Sequence, residues 1–208
     1  MARYTGPACR LCRQAGEKLF LKGDRCYTPK CSVDRRKSPP GAVSFRRRRP
    51  SEYGSQLREK QKLRRMYGTL EKQFVRHFKS AQKRVGSTGE ILQEILERRL
   101  DNVVYRLNFA SSRQQARQLV NHGHFKVNGK KTDIPSFLVN PNDLIEWKES
   151  SKEKDVYKNV AENIPTRPVP DWLELNTSAM SGVVRTAPLP EHTDNQIDSR
   201  AIVEFYSR

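Results

Sequence analysis

Leu100, Val103, Val104 and Leu107 recur at the i, i+3, i+4, i+7 spacing of one helical stripe, with Arg99, Asp101, Asn102 and Arg106 off it. A turn over residues 108–111 follows, and then a second helix in which Ala116, Leu119 and Val120 form the buried stripe. Ser111 and Ser112 each have glutamine three residues on, so the capping box leaves open which of them starts that helix. Gly123 is its C-terminal stop. Phe125 and Val127 alternate with Lys126 and run into Asn128-Gly129, a tight-turn signal. Leu144 to Trp147 form a second strand after the Pro141-Asn142-Asp143 turn.

Upstream, residues 51–67 read as a helix stopped by Gly68, and a second helix runs over about 69–84. Its Phe74 and Phe78 have the chemistry to stack on bases, but their i, i+4 spacing assigns them to a core. Ser87-Thr88-Gly89-Glu90 is a capping box for a third helix with an apolar face of Ile91, Leu92, Ile95 and Leu96. Downstream, residues 150–170 hold one short helix and then a proline-rich stretch, and Trp172 to Leu175 read as a short strand. Pro188 and Pro190 mark a loop. Ile202, Val203, Phe205 and Tyr206 make residues 197–208 too apolar to hang free, so that segment is expected to dock. The fold class is α+β and mostly helical.

Charge changes this picture more than composition does. Apolar residues are 35% and charged residues 30% of the 208, enough for modest cores. No apolar run approaches the roughly 18 residues of a membrane span, and MARYTGPACR lacks a signal-peptide core, so a cytoplasmic protein without a membrane partner is expected. Net charge is +17. Residues 1–50 carry 14 basic and 3 acidic side chains, residues 51–98 carry 11 and 6, residues 99–150 carry 8 and 5, and residues 151–208 carry 7 and 9. So lopsided a chain needs a polyanion, and nucleic acid is the commonest. Arg113 and Arg117 lie one turn apart on the second module helix, with His122, His124, Lys126, Lys130 and Lys131 around its end and the hairpin. Arg46, Arg47, Arg48 and Arg49 follow Pro39-Pro40-Gly41 in a segment that would order on RNA. The four histidines are scattered, and no Ser/His/Asp set or phosphate-cradling glycine loop is present, so no enzyme and no small-molecule substrate are expected.

All the cysteines lie in the first 31 residues: Cys9, Cys12, Cys26 and Cys31, as C-x2-C, thirteen residues, then C-x4-C. Two disulfides do not suit a reducing compartment, whereas four thiolates in two close pairs suit a tetrahedral metal. Zinc in a structural knuckle is the expectation. An iron–sulfur cluster is the alternative that spacing leaves open.

The stretches RLDNVVYRL, ASSRQQARQLVNHGHF and VNG-x-x-x-x-IPS closely resemble the S-four RNA-binding module. With MARYTGP-x-C, SEYG-x-QLREKQKLRRMYG and the final IVEFYSR, nearly the whole chain resembles the family of bacterial small-subunit ribosomal protein S-four, with looser agreement over residues 150–195. Two departures stand out. Where the family often has Pro-Gly-x-His-Gly, this chain reads Pro40-Gly41-Ala42-Val43, so an RNA-contact histidine has no matching residue. Many members also lack the four cysteines, which marks a metal-binding branch.

The resemblance implies three parts. Residues 1–45 are a metal-binding segment and basic arm, residues 46–97 a helical rRNA-binding domain onto which residues 183–208 pack back, and residues 98–182 the inserted module and its extension. It implies a small-subunit protein that binds 16S-type rRNA early, at a junction in its 5′ domain, and helps the subunit body assemble. Its implied neighbours are small-subunit proteins five and three and the mRNA at the channel where it enters. Roles in decoding accuracy, in unwinding of structured mRNA and in repression of its own operon are implied too. The side chains assigned to RNA are Arg3, Arg46 to Arg49, Arg58, Lys60, Lys62, Arg64, Arg65, Arg99, Arg113, Gln114, Arg117, His122, His124, Lys126 and Lys130. Reversing Arg113 and Arg117 to glutamate is expected to abolish tight binding and leave the fold intact.

Rival readings come from other classes. The module also occurs in pseudouridine synthases and tyrosyl-tRNA synthetases, but the residues that follow it here are too few for a catalytic domain. A free-standing regulator of mRNA or of stalled large subunits would need none of the N-terminal 97 residues.

Overall fold

A computed structural model of the protein describes residues 4–36, 38–41, 51–162, 167–189 and 197–208. Arg3 and Arg46 to Arg49 lie outside the described residues. The chain divides into two compact units, Met1–Leu92 with Asp194–Arg208, and Gln93–Thr193.

In the first unit, α1 (Ala8–Ala15), a 3-10 turn (Gly23–Tyr27) and α2 (Ser32–Arg35) carry the cysteines. α3 (Glu52–Met66) starts where the Ser51 hydroxyl accepts the Gly54 N–H at 3.2 Å. α4 (Glu71–Gln82) follows Gly68, whose φ of 62° suits glycine at a helix end. α5 (Thr88–Glu97) starts within the stretch of residues 87–90 and crosses the boundary between the units.

In the second unit, α6 (Leu100–Arg106) and α7 (Arg113–Asn121) pack on a sheet. Ser111 and Ser112 share the start of α7. The Ser112 hydroxyl accepts the Gln115 N–H at 3.3 Å, and the Gln115 side-chain oxygen accepts from the Ser111 N–H and hydroxyl, both at 2.8 Å. The sheet begins with β1 (Phe125–Val127), β2 (Lys130–Lys131) and β3 (Leu144–Trp147). After α8 (Glu149–Lys152) and α9 (Asp155–Glu162), it is completed by β4 (Leu173–Asn176) and β5 (Ser181–Val184). All pairings are antiparallel, in the order β2-β1-β3-β5-β4. Two short helices thus stand where one was expected, and β5 is an additional strand.

Phe125 opposite Trp147 and Val127 opposite Ile145 point into the core, while Lys126 and Glu146 alternate outward. Gly182 faces Ile145 in the register, and its absent side chain makes room for buried Leu107, whose methyl groups a Cβ there would overlap. The loop after the hairpin covers the start of α6: Phe137 and Pro135 carbonyls accept the Leu100 and Asp101 N–H groups at 2.8 and 3.2 Å.

The final helix, α10 (Ser199–Tyr206), belongs to the first unit and is capped by Asp198, which accepts the Arg200 and Ala201 N–H groups at 3.0 and 3.2 Å. It lies on α3. Ile202 is fully buried, Gln56 donates to Glu204 at 3.0 Å, Phe205 meets Tyr53 at 5.6 Å, and Tyr206 meets Phe78 at 4.5 Å between ring centroids. A Cβ on Gly89 would come within 2.7 Å of Ser199 Cβ, so glycine at the start of α5 lets the start of α10 approach.

Tyr206 Oη and Lys60 Nζ both donate to Glu71 Oε1, at 2.9 and 2.7 Å. Burial opposes ionisation of Glu71, but the Lys60 and Tyr206 hydrogen bonds and the Lys60 and Arg64 charges outweigh it and hold its pKa below the usual glutamate value. A depressed carboxyl pKa contributes stability that is complete above the unfolded value, about 4.3, and is lost as pH falls through the lower folded value. Proteolytic release of α10 should therefore rise in a step below about pH 4. Glu71→Gln should remove that step, and an unchanged acid step in this variant would refute the assignment. Among the described residues, no helix is long and apolar enough to cross a membrane.

Candidate nucleic-acid interface

The basic face of the second unit rests on an internal charge network. Arg99, with no exposed surface, donates through Nε and a terminal nitrogen to the two oxygens of Asp101 at 3.1 and 2.8 Å. Arg117, on α7, donates to the same carboxylate at 2.9 Å. Next to Asp101, Asn102 accepts from Arg113 Nε at 2.8 Å and donates to Glu97 at 2.6 Å. Fully buried Glu97 in turn takes Arg106 in a fork at 3.1 and 2.6 Å. Arg113 and Arg167 both lie over the Tyr105 ring, at 4.6 and 4.1 Å from its centroid.

What faces outward is narrower than the sequence reading supposed. Gln114, Asn121, His122, Lys130 and Lys131 are exposed, and Arg113, Arg117 and Lys126 are half-buried. Gly123, at φ 69°, turns the chain at the end of α7, and a Cβ there would meet Lys131 Cε at 2.5 Å. Lys131 therefore crosses the helix end beside His122. His124 is turned inward: it is 5% exposed, its Nδ1 lies 2.9 Å from the Ser151 hydroxyl, and burial, then Lys154 and His122, push its pKa down.

In the helical unit, too, several of the assigned bases turn inward. Lys60 and Lys62 are buried, paired with Glu71 and with Glu17 at 2.7 Å each. Arg64 is half-buried between Gln61, at 3.0 Å, and Glu71, at 3.5 Å. Arg65 is half-buried, with its Nε enclosed, and burial and Arg64 lower its pKa. Arg58 is exposed. In this fold Lys60, Lys62, Arg99 and His124 are buried, and each meets an internal partner: Glu71, Glu17, Asp101 and Ser151. Reversing Arg117 to glutamate would also set a carboxylate against Asp101, so the double reversal cannot leave the fold untouched. Asp101, Asn102 and Glu97, which hold the outward arginines, are the residues that sequence reasoning missed. Their signal was a carboxylate or amide beside each basic residue of a single helix start.

Residues 3–97 match the ribosomal protein S4/S9 N-terminal domain, and residues 98–145 match the S4 domain. A small ribosomal subunit protein uS4 from Thermoanaerobacter sp. (strain X514) is 56% identical over 208 residues, which is 100% of both chains. This chain belongs to the uS4 family. Similar relatives include uS4A of Symbiobacterium thermophilum, 52% identical, and uS4 of Thermodesulfovibrio yellowstonii, 53% identical, each over 208 residues and the whole of both chains. The family is one of small-subunit ribosomal proteins, not of enzymes. The S4 domain match ends inside β3, so β4 and β5 are an extension that widens the sheet beyond it.

The four cysteines of this uS4 chain are free thiols, three of them buried. Cys9 and Cys12 lie three residues apart on α1, Cys26 sits in the 3-10 turn, and Cys31 immediately precedes α2. Burial raises the Cys12 and Cys26 pKa values, and the neighbouring cysteines raise them further. Opposing this, backbone N–H groups donate to the sulfurs: Leu19 to Cys12, and Lys22 to Cys26 at 3.4 Å. Among the described residues, no three histidine, cysteine, aspartate or glutamate side chains stand ready-grouped to hold a metal ion. The donor set is of a chemistry that suits one: four thiols in two pairs close in sequence, with backbone N–H groups donating to the sulfurs of Cys12 and Cys26.

Proposed function

We propose that this protein is a primary binder of small-subunit rRNA of the 16S type, at a helix junction in the 5′ domain, and that it nucleates assembly of the subunit body there. The observation that carries the reading is the exposed basic end of α7 with its hairpin, anchored on the buried Asp101–Asn102–Glu97 network in a uS4 chain. Its neighbours are small-subunit proteins five and three and the mRNA where it enters the subunit. Decoding accuracy, mRNA unwinding and repression of its own operon follow from that position. Binding neutralises phosphates and releases counterions, while shape recognition of a bent junction supplies specificity.

With about eight phosphates engaged, affinity for a 5′-domain transcript should fall roughly a thousandfold or more between low and moderate salt. Filter binding across a salt series measures this. A shallow slope, or equal affinity for an unrelated RNA of the same length, would overturn the reading. One copy per small subunit in a sucrose gradient would separate it from a free-standing regulator.

The same reading includes a structural zinc ion on Cys9, Cys12, Cys26 and Cys31, tying α1, the 3-10 turn and α2 together. Support comes from the donor set, four thiols carried by three adjoining short elements, and from the backbone N–H groups that donate to two of the sulfurs. Purification without air, followed by elemental analysis and a visible spectrum, should give about one zinc per chain and no colour. Iron with sulfide and broad visible absorption would replace zinc by a cluster, and neither metal would refute both.

A further inference from the structure

The outward face of α4 carries a continuous line of positive charge. Phe74, Phe78 and Ala81 fill one side of the helix and are buried. At 100° per residue, Lys72, Arg76, Lys79 and Lys83 fall in one line on the opposite side, and all four are exposed. The line is about 16 Å long, its members stepping along the axis by roughly 4.5–6 Å. No carboxylate shares that half of the helix. Its single acid, Glu71, is turned to Lys60 and Tyr206.

Local causes do not account for the line. Like charges at i, i+4 (Lys72 with Arg76, Lys79 with Lys83) oppose the helix rather than support it. The helix dipole favours Lys79 and Lys83 near the C-terminal end but disfavours Lys72 in the first turn. An ordinary solvated face interleaves both signs. Within this same unit, three of the five bases of α3 meet carboxylates: Lys60 has Glu71, Lys62 has Glu17 and Glu59, and Arg64 has Glu71. The four cations on α4 have no such partner among the described residues.

We infer that this face of α4 tracks the phosphates of one strand of structured rRNA, as a contact surface separate from α7 and its hairpin. Evenly stepped point charges without an apolar or aromatic centre fit a sugar–phosphate backbone better than a protein surface, whose interfaces are built around buried apolar anchors. The inference rests on the rRNA reading and relocates the helical unit's contacts from Lys60 and Lys62 to α4. The sequence signal was present in the i, i+4, i+7, i+11 spacing, but the richer basic run of α3 masked it.

The test uses the full chain, a 5′-domain transcript of small-subunit rRNA and two variants with equal charge loss. One is Arg76→Gln with Lys79→Gln. The other is Lys154→Gln with Lys158→Gln, exposed positions at and near the start of α9. The α4 variant should flatten the plot of log affinity against log salt by about 1.4–1.8, at 0.7–0.9 per phosphate, and bind about tenfold to a hundredfold more weakly at moderate salt. The α9 variant should keep the slope, and both should melt within a few degrees of the unaltered chain. An unchanged slope for the α4 variant, or equal losses in both, overturns the inference while leaving the rRNA reading standing. An unchanged slope with reduced incorporation into small subunits would mean that α4 meets an acidic protein surface, which also overturns it. If the unaltered chain shows no preference for the transcript, the rRNA reading fails and takes this one with it.

Discussion

Asp101→Ala should destabilise the S4-domain unit by about 3–5 kcal/mol, because it strips the carboxylate from a guanidinium that stays buried. Arg99 has no exposed surface, and both of its described ion-pair contacts go to Asp101. The same substitution releases Arg117 from its anchor on α7, so rRNA affinity should fall even in the fraction that folds. Asp101→Asn keeps an acceptor in place and should cost less. Urea unfolding followed by far-ultraviolet circular dichroism separates the three proteins. A shift below about 1 kcal/mol for the alanine variant, the range of a surface ion pair, would mean that the network is hydrated rather than enclosed.

Trp147→Ala should cost a similar amount, about 3–5 kcal/mol, for a different reason. Trp147 is 2% exposed and packs on Phe125 at 4.5 Å and on Tyr157 at 5.3 Å between ring centroids. Its indole N–H has no hydrogen-bond partner among the described residues, so the whole loss is one of packing. Trp147→Phe should therefore recover most of the stability, since the polar atom contributes no bond. If phenylalanine were as damaging as alanine, a hydrogen bond to the indole would have to be restored to the account.

Features set by short-range pattern were legible in the sequence. The stripe Leu100, Val103, Val104, Leu107 gave α6, Asn128-Gly129 gave the hairpin, and the Phe74 and Phe78 spacing gave the buried side of α4. β5 was not legible, because Ser181-Gly182-Val183-Val184 has a glycine where a strand pattern calls for an apolar side chain. The missing volume there is supplied by Leu107 from another element. Nor could pattern tell an outward base from an inward one. Lys60 finds Glu71 eleven residues on and Lys62 finds Glu17 from a different segment, so a helix reading as uniformly basic is largely neutralised by tertiary contacts. The candidate site was legible as a place, at α7 and its hairpin, but not as a division of labour among its arginines.

The return of α10 to α3 sets an order on synthesis. The face of α3 and α4 that holds Lys60, Glu71 and Phe78 lies in the first unit, yet the residues that close it, Ile202 to Tyr206, are made after the whole of the second unit. At roughly 5–20 residues per second, the stretch from residue 92 to residue 206 takes about 6–23 s to emerge. During that interval Lys60, Glu71 and an aromatic core surface stand open to solvent, while the contiguous S4-domain unit is made and completed before its N-terminal neighbour can close. The unit that begins first along the chain is thus the one finished last.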